Sequence, residues 1–169
     1  MIDLGPIRKE GMRPTVIACV VFDNQLLLLH RKDYNLWLIP QGGVRFEENL
    51  EEALYREISE ELGNSFAAGC EKKAEIIGEA SAEFFPKDVT KEEMEFHLGK
   101  GVEMKGKHYF FMVVNHKTGR LDVKDTGFDD YFWMEYIGAK RLLSLMRQKK
   151  KREILLKILD LLKSRGIIR

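Results

Sequence analysis

The stretch from Gly42 to Gly63 (GGVRFEENLEEALYREISEELG) constrains this chain more than any other. Leu50, Leu54, Ile58 and Leu62 recur every fourth residue with Ala53 beside them, the spacing of an apolar stripe on a helix packed against a core. Asn49 is placed to cap the N-terminus, and Glu52, three residues on, to reach back and complete a capping box. Glu51 and Glu52 fall in the first turn, where the helix dipole favours negative charge. Gly63 supplies a left-handed stop.

Against that stripe, Glu57, Glu60 and Glu61 are anomalous. Their i, i+3, i+4 spacing brings three carboxylates to one side of the helix, where like charges repel. A fold accepts this if a hard cation sits among them, and carboxylate oxygens are what Mg²⁺ or Mn²⁺ prefers. A solvated acidic face is the plain alternative. The Gly42-Gly43 turn before the helix and Arg56, able to hold a neighbouring carboxylate in a charge-assisted pair, favour the cation site.

The fixed positions Gly42, Glu48 and Arg56-Glu57-Ile58-Ser59-Glu60-Glu61-Leu62-Gly63 resemble the Nudix box, the signature of hydrolases that cleave nucleoside diphosphates linked to another group. Asn64 departs from it, standing where the family usually has an aliphatic residue. Outside the box, Trp37-Leu38-Ile39-Pro40-Gln41-Gly42-Gly43 is similar to the branch containing RNA pyrophosphohydrolases and dinucleoside polyphosphate hydrolases. Arg13-Pro14, Arg31, Lys107-His108-Tyr109-Phe110 and Phe128-Asp129-Asp130-Tyr131-Phe132-Trp133 line up with that branch too. The resemblance runs from about Arg13 to Leu162, with the stretch from about Glu79 to Gly101 matching poorly.

The resemblance implies an α/β fold, a Nudix-type α/β/α sandwich with a mixed β-sheet, in one domain over 13–169 after a polar lead over 1–12. It also implies metal-dependent cleavage of a phosphoanhydride bond, in a dinucleoside polyphosphate or at the 5′ triphosphate end of RNA. ADP-ribose or a non-standard nucleoside triphosphate is an alternative substrate, and a non-catalytic nucleotide or RNA binder an alternative role. Mg²⁺ or Mn²⁺ would be held by Glu57, Glu60 and Glu61, with a backbone carbonyl at Gly42 or Gly43 as a further ligand. Glu57 and Glu60 are candidates to act on the attacking water, while Glu48 and Arg56 would pair to orient the acids. Gly127 stands where the branch carries an acid, which leaves Asp125, Asp129, Glu103 and the box glutamates open as general base. Arg13, Arg31 and Lys107 suit phosphate oxygens, and Gln41 belongs to the turn facing them. Tyr109, Phe132 and Trp133 are candidates to stack on a base, with core packing the alternative for the last two.

Composition sets further bounds. With 169 residues, 44% of them hydrophobic, the chain is of a size for one ordinary core. Cys19 and Cys70 lack metal-like spacing and read as reduced thiols of a cytoplasmic protein, and the four histidines form no zinc-like cluster. No apolar run is long enough to span a membrane, and nothing points to a particular protein partner. From Ile137 onward eleven Lys or Arg face only Glu153 and Asp160, a basic end that suits either nucleic acid or solvent.

In chain order, the lead Met1 to Met12 is expected to be partly disordered. Thr15 to Phe22 and Gln25 to His30 read as a hairpin around Asp23-Asn24, and Leu36 to Ile39 as a short strand closed by Pro40. Ala74 to Phe85 reads as a strand, and Pro86 to Gly101 as an insertion or flap. Lys107 to Asn115, Leu121 to Val123 and Tyr131 to Met134 read as strands, with helices over Ile137 to Met146 and Arg152 to Ser164.

Overall fold

A computed structural model describes residues 1–84 and 86–169, and the backbone of Asp125 without its side chain. Seven strands form one mixed sheet: β1 (Met12–Phe22), β2 (Gln25–Arg31), β3 (Leu36–Leu38), β4 (Gln41–Gly43), β5 (Glu75–Glu83), β6 (Gly106–Asn115) and β7 (Asp130–Met134). Their main order is β3-β2-β1-β6-β5, with β4 pairing β1 and β7 pairing β2. Only β1 and β6 run parallel among these pairs; the others are antiparallel. Among the described residues six α-helices complete the fold: α1 (Gly5–Lys9), α2 (Leu50–Leu62), α3 (Asn64–Ala68), α4 (Lys91–Leu98), α5 (Tyr136–Ser144) and α6 (Lys149–Ser164).

The sandwich follows from β1. Val16, Ala18 and Val20 face a core built with Leu54, Ile58 and Leu62 of α2, while Ile17, Cys19 and Val21 face a second core built with Leu143 of α5 and Ile158 and Leu159 of α6. A strand covered on both faces is apolar throughout rather than alternating, which is how Thr15 to Phe22 reads. Asp23 and Asn24 both take positive φ, 49° and 56°, as the tight two-residue turn into β2 requires. Asn49 caps α2 with the full capping box, and Gly63 ends it at φ +94°.

Four expectations need correction. The polar lead is ordered: Pro6 opens α1, and Leu4 and Arg8 are buried. Arg8, only 7% exposed, lies over the Phe46 ring and donates to the carbonyls of Val44 and Arg45, so the lead is pinned to the loop before α2. The stretch 86–101 contains a helix, α4, capped by Thr90 and Glu93. Leu121 to Val123 is not a strand; Asp122 caps a single 3₁₀ turn over Val123–Asp125. Lys149 to Lys151 belong to α6, which starts three residues earlier than expected. Phe85, the expected end of β5, and the side chain of Asp125 lie outside the described residues.

The basic end has a structural use as well. Lys150 and Lys157 of α6, with Arg165 just after it, donate to the backbone carbonyls of Glu83, Glu79 and Ile77 along β5, the outermost strand, and so blunt a sheet edge that would otherwise invite pairing.

Candidate active site

Strand β4 sets the geometry. It runs antiparallel to β1 with Gly42 opposite Val16 and Gly43 opposite Thr15, so that their Cβ positions face Glu57 of α2 and Arg13 of β1 respectively. A side chain on Gly42 would put its Cβ 1.9 Å from the Glu57 carboxyl carbon, and one on Gly43 would come 2.3 Å from the Arg13 guanidinium. The two glycines are therefore seats for a carboxylate on one side and a cation on the other. Gly42's register, in step with the hydrogen bonds from Ala18 to Pro40 and from Val44 to Pro14, turns its carbonyl toward β1. Gly42 thus serves as the seat of Glu57.

Arg56 organises the acids. Its Nη1 donates to Glu57 at 2.5 Å and to Glu60 at 3.2 Å, and its Nη2 to the Gly43 carbonyl at 2.8 Å and to Glu48 at 3.0 Å. Nε donates to Glu48 as well, making the two-pronged pair expected of a guanidinium and a carboxylate. Burial alone would raise the Glu48 carboxyl, but these hydrogen bonds and one from the Arg45 backbone hold it below the ordinary range. For Glu57 the balance reverses: burial outweighs Arg56 and pushes its pKa up. Glu61 goes further, to about 7, because burial and the charge of Glu57 outweigh a hydrogen bond from the Gln41 backbone.

Glu60 and Glu61 line a cavity of about 270 Å³ with Arg31, Gln41, Gly127 and Phe128. A second cavity, of about 170 Å³, is lined by Trp37, Gln41, Lys107, Tyr109 and Lys151 above an apolar floor. Leu38, Ile39 and Gln41 border both, so the two cavities adjoin. Lys107 is held below its ordinary pKa by burial and by the charges of Arg13 and Lys151. Of the expected residues, Arg31 at the end of β2 and Gln41 on β4 line the first cavity, Gln41 with Lys107 and Tyr109 on β6 the second, and Arg13 on β1 lies against Gly43 outside both linings. Trp37, which opens the Trp37–Gly43 resemblance, and Lys151 line the second cavity without having been singled out as site residues, because the register of β3 and the start of α6 bring them in. Trp133 turns away, its indole donating to the Gly119 carbonyl. Asp129 accepts from the Lys32 backbone at 2.7 Å, and Arg31 donates to the Gly127 carbonyl at 3.4 Å.

The donor set suits a hard divalent cation. Among the described residues no three acidic, imidazole or thiol side chains form a group able to cage an ion, because Glu57 leans on Arg56 and Glu60, 51% exposed at its side chain, lies between Arg56 and Arg45. Mg²⁺ in phosphate sites asks for less: one or two carboxylates, with waters and substrate phosphates completing the shell. A buried carboxyl destabilised by burial and by its acidic neighbours, beside another seated over a glycine, meets that demand.

The short helix α4 adds His97. Burial, with Arg13 and Lys107 reinforcing it, lowers this imidazole to about 4. With the folded value below the ordinary 6.5, the unfolded chain takes up the proton first. The stabilising contribution of neutral His97 is therefore present above pH 6.5 and lost as pH falls toward 4. His97→Gln is expected to flatten that part of a stability–pH profile by on the order of 1 kcal/mol after discounting for partial exposure; urea unfolding at pH 7.0 and 4.5 (about the edges of the window) measures it.

A seated carboxylate, a guanidinium that orients it and a cationic groove beyond define a hydrolase of pyrophosphate bonds. The family model described as NUDIX domain matches residues 12–157, and the chain belongs to that family. An RNA pyrophosphohydrolase of Campylobacter jejuni is 26% identical over 170 residues, spanning 95% of this chain and 98% of that protein. In fold the chain is similar to the E. coli dihydroneopterin triphosphate pyrophosphohydrolase (TM-score 0.54, 16% identity, 88% of this chain and 97% of that one). It is likewise similar to the C. elegans Ap4A hydrolase (TM-score 0.55, 14% identity, 90% and 97%). Among the described residues no helix is long and apolar enough to cross a membrane.

Proposed function

We propose that the chain is a Mg²⁺- or Mn²⁺-dependent pyrophosphohydrolase of nucleoside polyphosphates, acting on the 5′ triphosphate end of RNA or on a dinucleoside polyphosphate. The observation that carries this reading is the adjacency, with Gln41 lining both, of an acidic pocket with Glu60 and Glu61 and a slot with two lysines and two aromatic rings. The full-length similarity to an RNA pyrophosphohydrolase supports it.

A divalent cation held by Glu57, Glu60 and Glu61 would supply charge neutralisation at the phosphate oxygens and a water of lowered pKa. Arg31 and Lys107 bind phosphate oxygens, one from each of the adjoining cavities. Arg13, seated under Gly43, adds positive charge felt by Glu57 and Lys107. Tyr109 and Trp37 flank the base over the apolar floor. Glu60, the most open of the three acids, accepts the proton of the attacking water at a carboxylate oxygen, with Glu57 held by Arg56 behind it. Two buried free thiols, both raised by burial, suit the reducing cytoplasm.

The test is release of phosphate or nucleotide from 5′-triphosphorylated RNA, diadenosine tetraphosphate and ADP-ribose at equal concentration, with Mg²⁺ and with chelator. Metal-dependent turnover of either of the first two supports the proposal. Activity on ADP-ribose alone, or binding without turnover of any, overturns it. In the same assay Arg31→Ala is expected to raise KM by about tenfold or more, the effect of losing one charge-assisted hydrogen-bonding partner. An unchanged KM would remove Arg31 from the phosphate site.

A further inference from the structure

The proposed chemistry leaves one buried charge without a part. Arg8 of α1 is 7% exposed, yet among the described residues its Nε finds no hydrogen-bond partner. Burial pushes the guanidinium down, with the charge of Glu47 opposing. An arginine on a short helix at the chain's start could keep its head in water, so burying it with a donor unmet is a cost that calls for a return. The return is a grip on one turn. Nη2 donates to the Val44 carbonyl at 3.1 Å and to the Arg45 carbonyl at 3.2 Å, while the guanidinium carbon lies 4.2 Å from the centroid of the Phe46 ring. Two routes lead from this turn to the acids. In the first, the Glu48 N–H donates to the Arg45 carbonyl at 3.2 Å, and the Glu48 carboxylate accepts from the Arg45 N–H at 3.1 Å. The same carboxylate takes both prongs of Arg56, which holds Glu57 and Glu60. In the second, the Arg45 side chain reaches Glu60 directly at 3.7 Å.

We propose that Arg8 is a positioning residue for the cation-binding acids: it fixes the turn over residues 45–48 and, through Glu48 and Arg45, sets the places of Glu57 and Glu60. The inference rests on the metal site proposed above and extends it to a part of the chain that the family match, beginning at residue 12, leaves out. The chemistry asks for an arginine. A planar guanidinium can lie flat on the Phe46 ring while its edge points at two carbonyls, whereas an ammonium offers charge and donors without the flat face. Outer contacts of this kind hold metal ligands in register, so losing one is read in the affinity for the ion.

The test is Mn²⁺ binding to the intact chain without substrate, followed by the loss of the free ion's electron paramagnetic resonance signal, beside urea unfolding and the Mg²⁺ dependence of turnover. Arg8→Ala is expected to weaken Mn²⁺ binding by about tenfold, the lower end of what losing an outer partner of a metal ligand costs. The Mg²⁺ concentration for half-maximal turnover should rise with it, while KM for the nucleotide at saturating Mg²⁺ stays unchanged. Arg8→Lys should recover part of the affinity. Should Arg8→Ala fail to fold, Phe46→Leu, which removes only the exposed ring beneath the guanidinium, carries the same comparison. Ile158→Val trims the core on the opposite face of the sheet; it should lower the urea midpoint and leave Mn²⁺ affinity alone, which separates lost positioning from lost stability. Undiminished Mn²⁺ affinity in the Arg8 variants, or an equal loss in Ile158→Val, overturns the role. So does a wild type that takes up no Mn²⁺. Binding that depends on Arg8 in a protein that turns over no nucleotide would leave the inference standing and defeat the hydrolase proposal, so the two fail separately.

Discussion

Glu60→Gln is expected to lower turnover of a nucleoside polyphosphate by about 10²–10⁴-fold, the range for losing a positioned acid–base group, while shifting stability by less than about 1 kcal/mol. The asymmetry comes from where Glu60 sits. Its carboxylate is half exposed, and its partners, Arg56 at 3.2 Å and Arg45 at 3.7 Å, are ion pairs in contact with water. Surface pairs of that kind contribute little to folding. The amide keeps the volume but loses the proton acceptor and one anionic oxygen facing the groove. Single-turnover kinetics beside urea unfolding would separate the two effects. Activity within a few-fold of wild type in a well-folded variant would remove Glu60 from the chemistry and return the role to Glu57.

Much of this site is written locally. Helix α2 can be read residue by residue, from Asn49 at its cap to Gly63 at its end, because its apolar stripe and its acidic face have different periodic positions on one element. The hairpin of β1 and β2 is equally direct, since Asp23 and Asn24 tolerate the positive φ that the turn imposes. Three parts were not legible, for different reasons. Helix α4 buries only Leu98 fully, so no stripe announces it, although Thr90 and Glu93 spell out its capping box. Helix α1 is one short turn, held by the burial of Leu4 and Arg8 rather than by propensity. The slot itself is a product of pairing: Lys107 and Tyr109 reach Arg13 and Gln41 only because β6 lies parallel beside β1, and Lys151 arrives from residues near the other end of the chain. Local patterns carry no information about such neighbours.

Arg56→Ala should have the largest effect on folding of any substitution at the site, about 3 kcal/mol at neutral pH, the lower end of what removing one partner of a buried ion pair costs. One guanidinium serves Glu48, Glu57, Glu60 and the Gly43 carbonyl, and the Glu48 and Glu57 side chains are only 12% exposed. Without it two carboxylates remain mostly buried, with no other donor to Glu57 among the described residues, while Glu48 keeps one backbone donor at Arg45. The sign of the pH dependence follows from Glu48. Its folded pKa lies below the ordinary 4.5, so its contribution is present above that value and lost as pH falls through the folded one. In the variant the depression disappears and Glu57 is pushed further up, so protonation relieves the strain. The stability difference between wild type and Arg56→Ala should therefore shrink as pH drops below 4.5. Arg56→Lys should fall between the two, keeping the charge but losing the fork that grips Glu48. Urea unfolding of all three proteins from pH 7 to 3.5 measures this. A difference that stays constant across that range would mean that Arg56 acts through packing, and that the carboxylates it touches are held in place by something else.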